Sequence, residues 1–303
     1  MNESTIHRSK QSPPKAHEYG RPETIEDASN RYIVHPLSDQ AVKIALRLGF
    51  SPNFVSILGL LCGILAGYCY YHLPQTSMVY GGFLAMVAWH VLDGADGRLA
   101  RATGRTSAFG RIIDGICDHV VFAAVYIALT LHVIETGYAL SVWWLVVGAG
   151  LSHAVQAAGY EERRQKYQRR LKGVARSSAQ ASLVVVGGKK SFLAGLYDKA
   201  QMLVAGRESE FDIRLEQLRK IGSDRPAIAL VGKTAPMVRA WGILNANNRT
   251  LLIFLFSLVG QPAFYFAVEL FAFNVILAIL MFTEAQLEKK LSGEARALID
   301  ACG

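Results

Sequence analysis

The sequence predicts an all-α integral membrane protein with about six transmembrane helices, an N-terminal interfacial helix and a helical cytosolic insertion. Three observations carry this. Of 303 residues, 51% are hydrophobic and 18% charged, with a mean hydropathy of +0.24. The apolar residues gather in runs long enough for a helix rising about 1.5 Å per residue to cross a hydrocarbon core of ~30 Å. Lys and Arg are segregated to alternate connections between those runs.

Residues 1–36 are polar, hold Pro13, Pro14 and Pro22, and show no helical stripe, so they read as a disordered cytoplasmic arm. They contain no apolar run of the kind that marks a signal peptide. Over residues 38–50, Val42, Ala45, Leu46 and Gly49 share one helical face while Asp39, Lys43 and Arg47 share another, the pattern of an interfacial helix. It opens a unit, residues 37–160, that holds the first four membrane helices. Ser51 and Pro52 restart the helix as N-cap and first-turn proline. The first span, 54–72, repeats glycine at Gly59, Gly63 and Gly67, which lets a neighbouring helix approach closely.

Further spans fall at 77–91, continuing into an aspartate-rich helix, then at 112–133, 140–160, 250–260 and 262–282. The fifth is short unless it begins near Trp241 and absorbs Asn245, Asn247, Asn248 and Arg249. Residues 241–285 thus hold the last two membrane helices, and 286–303 form a cytoplasmic tail with Lys289 and Lys290. Connections 72–76, 135–141 and 260–262 have no Lys or Arg, so the positive-inside rule puts both termini in the cytoplasm.

Residues 161–240 are too long for a simple connection and read as a cytosolic or interfacial helical insertion. Residues 191–205 and 211–221 have apolar positions at helical spacing. Arg163, Arg164, Arg169, Arg170, Arg176, Arg239 and Arg249 are candidates for clamping an anionic substrate. Within the spans lie His90, His153, Gln156, Glu269 and Asn274, polar groups that need partners in lipid. A helix-to-helix or dimer hydrogen bond is expected for Glu269, and packing, or support of the neighbouring Asp93, for His90.

Some classes drop out. The net charge of +8 suits anionic headgroups or phosphates, and no basic cluster interleaved with aromatics points to nucleic acid. Cys62, Cys69, Cys117 and Cys302 lack metal-ligand spacing and predict no disulfide. Gly232-Lys233-Thr234 is no P-loop, because Ala227 stands where its upstream glycine belongs.

The chemistry concentrates between Asp93 and Asp118. On helices, Asp93, Asp96 and Ala100 share one face, and Gly110, Asp114 and Asp118 share one face of the next. Like charges ~4 Å apart repel by roughly 4 kcal/mol at an effective dielectric of ~20, so four carboxylates in one cleft call for a cation. Oxygen ligands without His or Cys point to Mg²⁺, Mn²⁺ or Ca²⁺ rather than zinc. Gly97, Ala100 and Gly110 leave room for a bulky ligand, and Arg101 and Arg98 are placed to neutralise phosphate oxygens.

The order Asp93-x-x-Asp96-Gly97-x-x-Ala100-Arg101, eight residues, then Gly110-x-x-x-Asp114-x-x-x-Asp118 resembles the signature of the CDP-alcohol phosphatidyltransferase superfamily. The resemblance implies that Asp93, Asp96, Asp114 and Asp118 form a site for two divalent cations, Mg²⁺ or Mn²⁺, with Asp118 also the general base. It implies further that Gly97, Ala100, Arg101 and Gly110, with Asn53 of the Pro52-Asn53 pair, border the cytidine diphosphate, and that the protein is a homodimer. The expected reaction is transfer of a phosphatidyl group from CDP-diacylglycerol to a polar alcohol, with inositol phosphate or glycerol phosphate among the acceptors. The site would face the cytoplasm, in a bacterial inner membrane. Alternatives are transfer of a choline or ethanolamine headgroup from its CDP derivative to a lipid alcohol, a hydrolase using water, and a cation transporter.

Overall fold

The computed structural model describes residues 22–106, 108–174, 209–222 and 224–302. Helix α1 (His35–Leu48) stops at Gly49, whose φ of 71° lies in the left-handed region that suits glycine. Ser51 caps α2 (Pro52–Tyr71), accepting from the Phe54 amide at 3.2 Å. Helix α3 (Thr76–Ala102) carries the first half of the aspartate motif beyond its apolar part, and α4 (Ala108–Glu135) carries the whole second half near its start.

Hydrophobic burial drives little helix association in lipid, so close packing must do it. The glycine stripe of α2 serves that purpose. Gly59 lies against Leu92 and Trp89 of α3, Gly63 against Val121 of α4, and Gly67 against the Ala124 carbonyl. On the other side of α3, Ser38 of α1 donates to the Val91 carbonyl at 2.8 Å, beside Gly94. The outward side of α1 and the segment before it expose Tyr32, Leu37, Ile44 and Leu48, as an interfacial helix would.

Helix α5 (Val142–Lys172) runs on well past its apolar half. After it come α6 (Glu210–Ile221), α7 (Asp224–Gly232) and α8 (Ala235–Trp241). Asn245 then caps α9 (Ala246–Leu258), accepting from the Asn248 amide at 2.8 Å, so the asparagines belong to a helix start. Helix α10 (Pro262–Ala267) leads through a π-helical stretch, Val268–Ala272, into α11 (Phe273–Cys302). Thus α11 continues through the range expected as a tail and packs on α6.

Two cores result. Tyr70, Met86, Trp89, Val121, Leu129, Tyr265 and Phe266 fill the bundle. Phe211, Leu215, Leu218, Leu230 and Leu291 fill a second core, where α6 and α7 meet the polar ends of α5 and α11. An ionic seam closes the second: Arg170 bonds Asp212 at 2.7 Å and Glu288 at 2.8 Å, and Lys166 reaches Glu288 at 2.8 Å. Burial disfavours the Asp212 charge, but Arg170 more than offsets this and holds the carboxyl down to about 2.

Three expectations change. Residues 22–36 are not a disordered arm: Ile25 sits in the second core, Tyr160 donates to Asp27 at 2.5 Å, and Asn247 donates to Asn30 at 2.7 Å. Two buried apolar side chains, Ile25 and Val34, and several polar bonds order a segment whose composition alone reads as unfolded. Residues 1–21 and the 191–205 stripe lie outside the described residues.

Among the described residues, five stretches are long and apolar enough to cross a membrane: Pro52–Tyr71, Thr76–Ala102, Cys117–Glu135, Asp224–Leu258 and Pro262–Ala301. The fourth expected span, 140–160, is helical but diluted by Ser152, His153 and Gln156. These same groups bond Asn274, Tyr126 and Arg249 inside the bundle.

The arginine clamp is the third change. Arg163 pairs with Glu284, Arg164 with Glu161 and Arg169 with Glu162, while Arg239 donates to the Thr24 carbonyl. Arg249 is wholly buried against Glu269. Carboxylates on α5 and α11 take up the charges of Arg163, Arg164 and Arg169. Arg176 lies outside the described residues.

Candidate active site at the motif end of the bundle

Helix register brings the motif residues to shared heights. Helix α2 runs antiparallel to α3 and parallel to α4, with Gly59 against Leu92 and Gly63 against Val121. One turn toward the start of α2, Ser56 donates a short hydrogen bond to Oδ2 of Asp96, which is 5% exposed. The same register carries Asp118 to the height of Asp93 and the backbone of Asp114 to the height of Asp96.

The facing of α3 and α4 follows from their rings. Trp89 and Phe122 meet edge to face with centroids 5.4 Å apart. Asp93 lies one turn beyond Trp89 and Asp118 one turn before Phe122, both nearer the motif end, and residues four apart share a helix face. The faces bearing these two aspartates are therefore turned toward each other above a floor of aromatic rings.

Other predicted residues sort as follows. Arg101 is exposed and folds back along its own helix, Nη1 lying 3.5 Å from where a Cβ on Gly97 would be. Ala100 is half-buried beside it, and Asn53 is exposed in the first turn of α2. Arg98 does not turn toward the site: it bonds Asp39 at 2.5 Å and the His35 carbonyl at 3.1 Å, tying α3 to α1. His90 is buried with Nε2 2.8 Å from Oγ1 of Thr250. The Asp114 side chain and the surroundings of Gly110 lie outside what the structure describes.

Ser56 is the residue that sequence reasoning missed. Its signal was a hydroxyl on the stripe of Gly59, Gly63 and Gly67, one turn ahead, where a polar group must find a partner across the helix contact. Among the described residues no three His, Cys, Asp or Glu side chains form a metal-binding group. The donor chemistry of Asp93, Asp96 and Asp118, carboxylate oxygens with one held by a hydroxyl, nevertheless fits a hard divalent cation.

Residues 50–194 match the family model described as CDP-alcohol phosphatidyltransferase. The chain is 32% identical over 125 residues to the phosphatidylinositol phosphate synthase of Mycobacteroides abscessus, covering 41% of this chain and 48% of that one. It is 38% identical over 89 residues to the archaetidylinositol phosphate synthase of Pyrococcus horikoshii, covering 29% and 45%. A bifunctional IPC transferase and DIPP synthase of Aquifex aeolicus is 36% identical over 83 residues, 27% and 18% of the two chains. The chain spans about half the length, or less, of these curated relatives. No solved structure matches it significantly.

Proposed function

We propose, from the membership of residues 50–194 in the CDP-alcohol phosphatidyltransferase family, that this integral membrane protein transfers a phosphatidyl group from CDP-diacylglycerol to a hydroxyl of an inositol phosphate, releasing CMP. The observation that carries the reading is the shared height of Asp93 and Asp118 on facing helices above the Trp89 and Phe122 rings. The inositol phosphate acceptor is supported by the names of the relatives, phosphatidylinositol phosphate synthase and archaetidylinositol phosphate synthase.

Asp93, Asp96, Asp114 and Asp118 would hold two Mg²⁺ or Mn²⁺ ions, which when bound supply positive charge against the diphosphate oxygens. The Asp118 carboxylate takes the proton of the acceptor hydroxyl. The acceptor oxygen bonds to phosphorus as the bond from phosphorus to the CMP oxygen breaks, and CMP leaves with the electron pair. Arg101 sets its charge beside the phosphates, while Asn53, Gly97, Ala100 and Gly110 border the nucleotide. Acyl chains enter sideways from the bilayer, the motif end faces the cytoplasm, and the protein works as a homodimer in a bacterial inner membrane.

Membranes containing the protein, given labelled CDP-diacylglycerol, Mn²⁺ and a panel of inositol phosphate, glycerol phosphate, serine and inositol, test the reading. Lipid product with inositol phosphate and stoichiometric CMP is expected. Product confined to CDP-choline or CDP-ethanolamine with diacylglycerol would overturn it.

A further inference from the structure

We infer that the buried pair of Arg249 and Glu269 is a positioning device that sets the spacing of α3 and α4 and so the approach of Asp93 to Asp118. The inference rests on the metal-site reading above. Both side chains are fully buried, and Nε of Arg249 lies 3.2 Å from each Glu269 oxygen. Nη2 donates to Gln156 on α5 at 2.7 Å, and Nη1 donates to the Leu244 carbonyl. Glu269 sits in the π-helical stretch Val268–Ala272, an irregularity that costs helix regularity and recurs at functional positions.

Two routes lead from this pair to the motif helices, one along the chain to Thr250 and one through hydrogen bonds from Glu269. Thr250, next to Arg249, bonds His90 on α3 at 2.8 Å, one turn from Asp93. Glu269 accepts from Tyr265 at 3.0 Å, and the Tyr265 hydroxyl lies 2.6 Å from that of Tyr126 on α4, two turns from Asp118. Tyr126 in turn lies 3.1 Å from Nδ1 of His153 on α5. The turn of α9 that carries Arg249 thus reaches α3 through Thr250, and Glu269 reaches α4 through Tyr265.

A buried ion pair is a poor stabiliser, since apolar replacement of both partners is often neutral or stabilising, whereas loss of one partner strands a charge. Stability alone does not call for this pair, and that separates a positioning role from a structural one. The test uses the full chain in detergent micelles and measures Mn²⁺ binding by electron paramagnetic resonance without nucleotide, the melting temperature and CMP release.

The double variant Arg249→Met/Glu269→Leu is expected to melt no lower than wild type yet bind Mn²⁺ at least tenfold more weakly, with kcat falling at least tenfold. Thr250→Val cuts the link to His90 without touching the ion pair; it is expected to fold, to melt somewhat lower because His90 loses its buried partner, and to weaken Mn²⁺ binding several-fold, with Thr250→Ser restoring both. Wild-type Mn²⁺ affinity in Thr250→Val, or in a folded double variant, would overturn the inference while leaving the site reading intact. Mn²⁺ binding that survives Asp93→Asn and Asp118→Asn unchanged would instead remove the metal site, and the inference with it.

Discussion

Gly63 meets Val121 so closely that a Cβ at position 63 would lie 2.3 Å from Cγ2 and 2.9 Å from Cβ of that valine. Neither a branched side chain nor its β-carbon can swing away from such a contact, so α2 and α4 are held at a distance only glycine allows. Gly63→Ala should force them apart at a cost of about 1–3 kcal/mol, the range of overpacked cores. The matched control is Gly293→Ala on α11, where nothing lies within 4 Å. There, alanine should gain about 0.5–1 kcal/mol through helix propensity. Melting of both variants in the same detergent checks the pair.

Ser56 holds one carboxylate oxygen of Asp96 from across the α2–α3 contact. Ser56→Ala should weaken divalent-cation binding about 10- to 100-fold, as loss of a hydrogen bond to a metal ligand does. Ser56→Thr, which keeps the hydroxyl, should restore most of it. Titration of Mn²⁺ into the two variants provides the comparison; equal affinities would show that the bond orients nothing.

Asp93→Asn and Asp118→Asn should each lower CMP release at least ~100-fold, about 2.7 kcal/mol of barrier, with the melting temperature near wild type. Asp114→Asn should behave alike. Turnover by Asp118→Asn at the wild-type rate would deny it the proton-accepting role.

Asp212 makes the second core sensitive to acid. Its folded pKa of about 2 lies below the ordinary 3.8, so the contribution is complete above the ordinary value and is lost as pH falls through about 2. Linkage puts it at about 2 kcal/mol. Wild type should therefore lose stability between about pH 4 and 2 more steeply than Asp212→Asn, which starts lower at neutral pH because Arg170 loses its charged partner. Melting curves over that interval measure the difference in slope.

Much of the site was legible before any coordinates. The spacing of Asp93, Asp96, Asp114 and Asp118 placed them on two helix faces, and Gly59, Gly63 and Gly67 announced a close helix contact. Periodicity reveals the face on which a residue lies, yet not the helix that face meets. For that reason Arg98 was assigned to phosphate when it serves Asp39, and Arg249 was a candidate clamp when its charge is spent on Glu269. The order in residues 22–36 was hidden for a related cause: a segment anchored only by Ile25 and Val34 folds only when a surface elsewhere in the chain receives it.

By itself the sequence determined the apolar helices, the end of the bundle that bears the acidic motif, and the absence of His and Cys from that motif's aspartate positions, because hydropathy and helical spacing are local properties of a chain. Tertiary structure alone decided which buried charges neutralise each other, that Ser56 holds Asp96, and that Trp89 of α3 meets Phe122 of α4 edge to face, one turn from Asp93 and Asp118. Those outcomes depend on the relative height and rotation of helices distant in the chain, which close packing at a few glycines sets and no local pattern records.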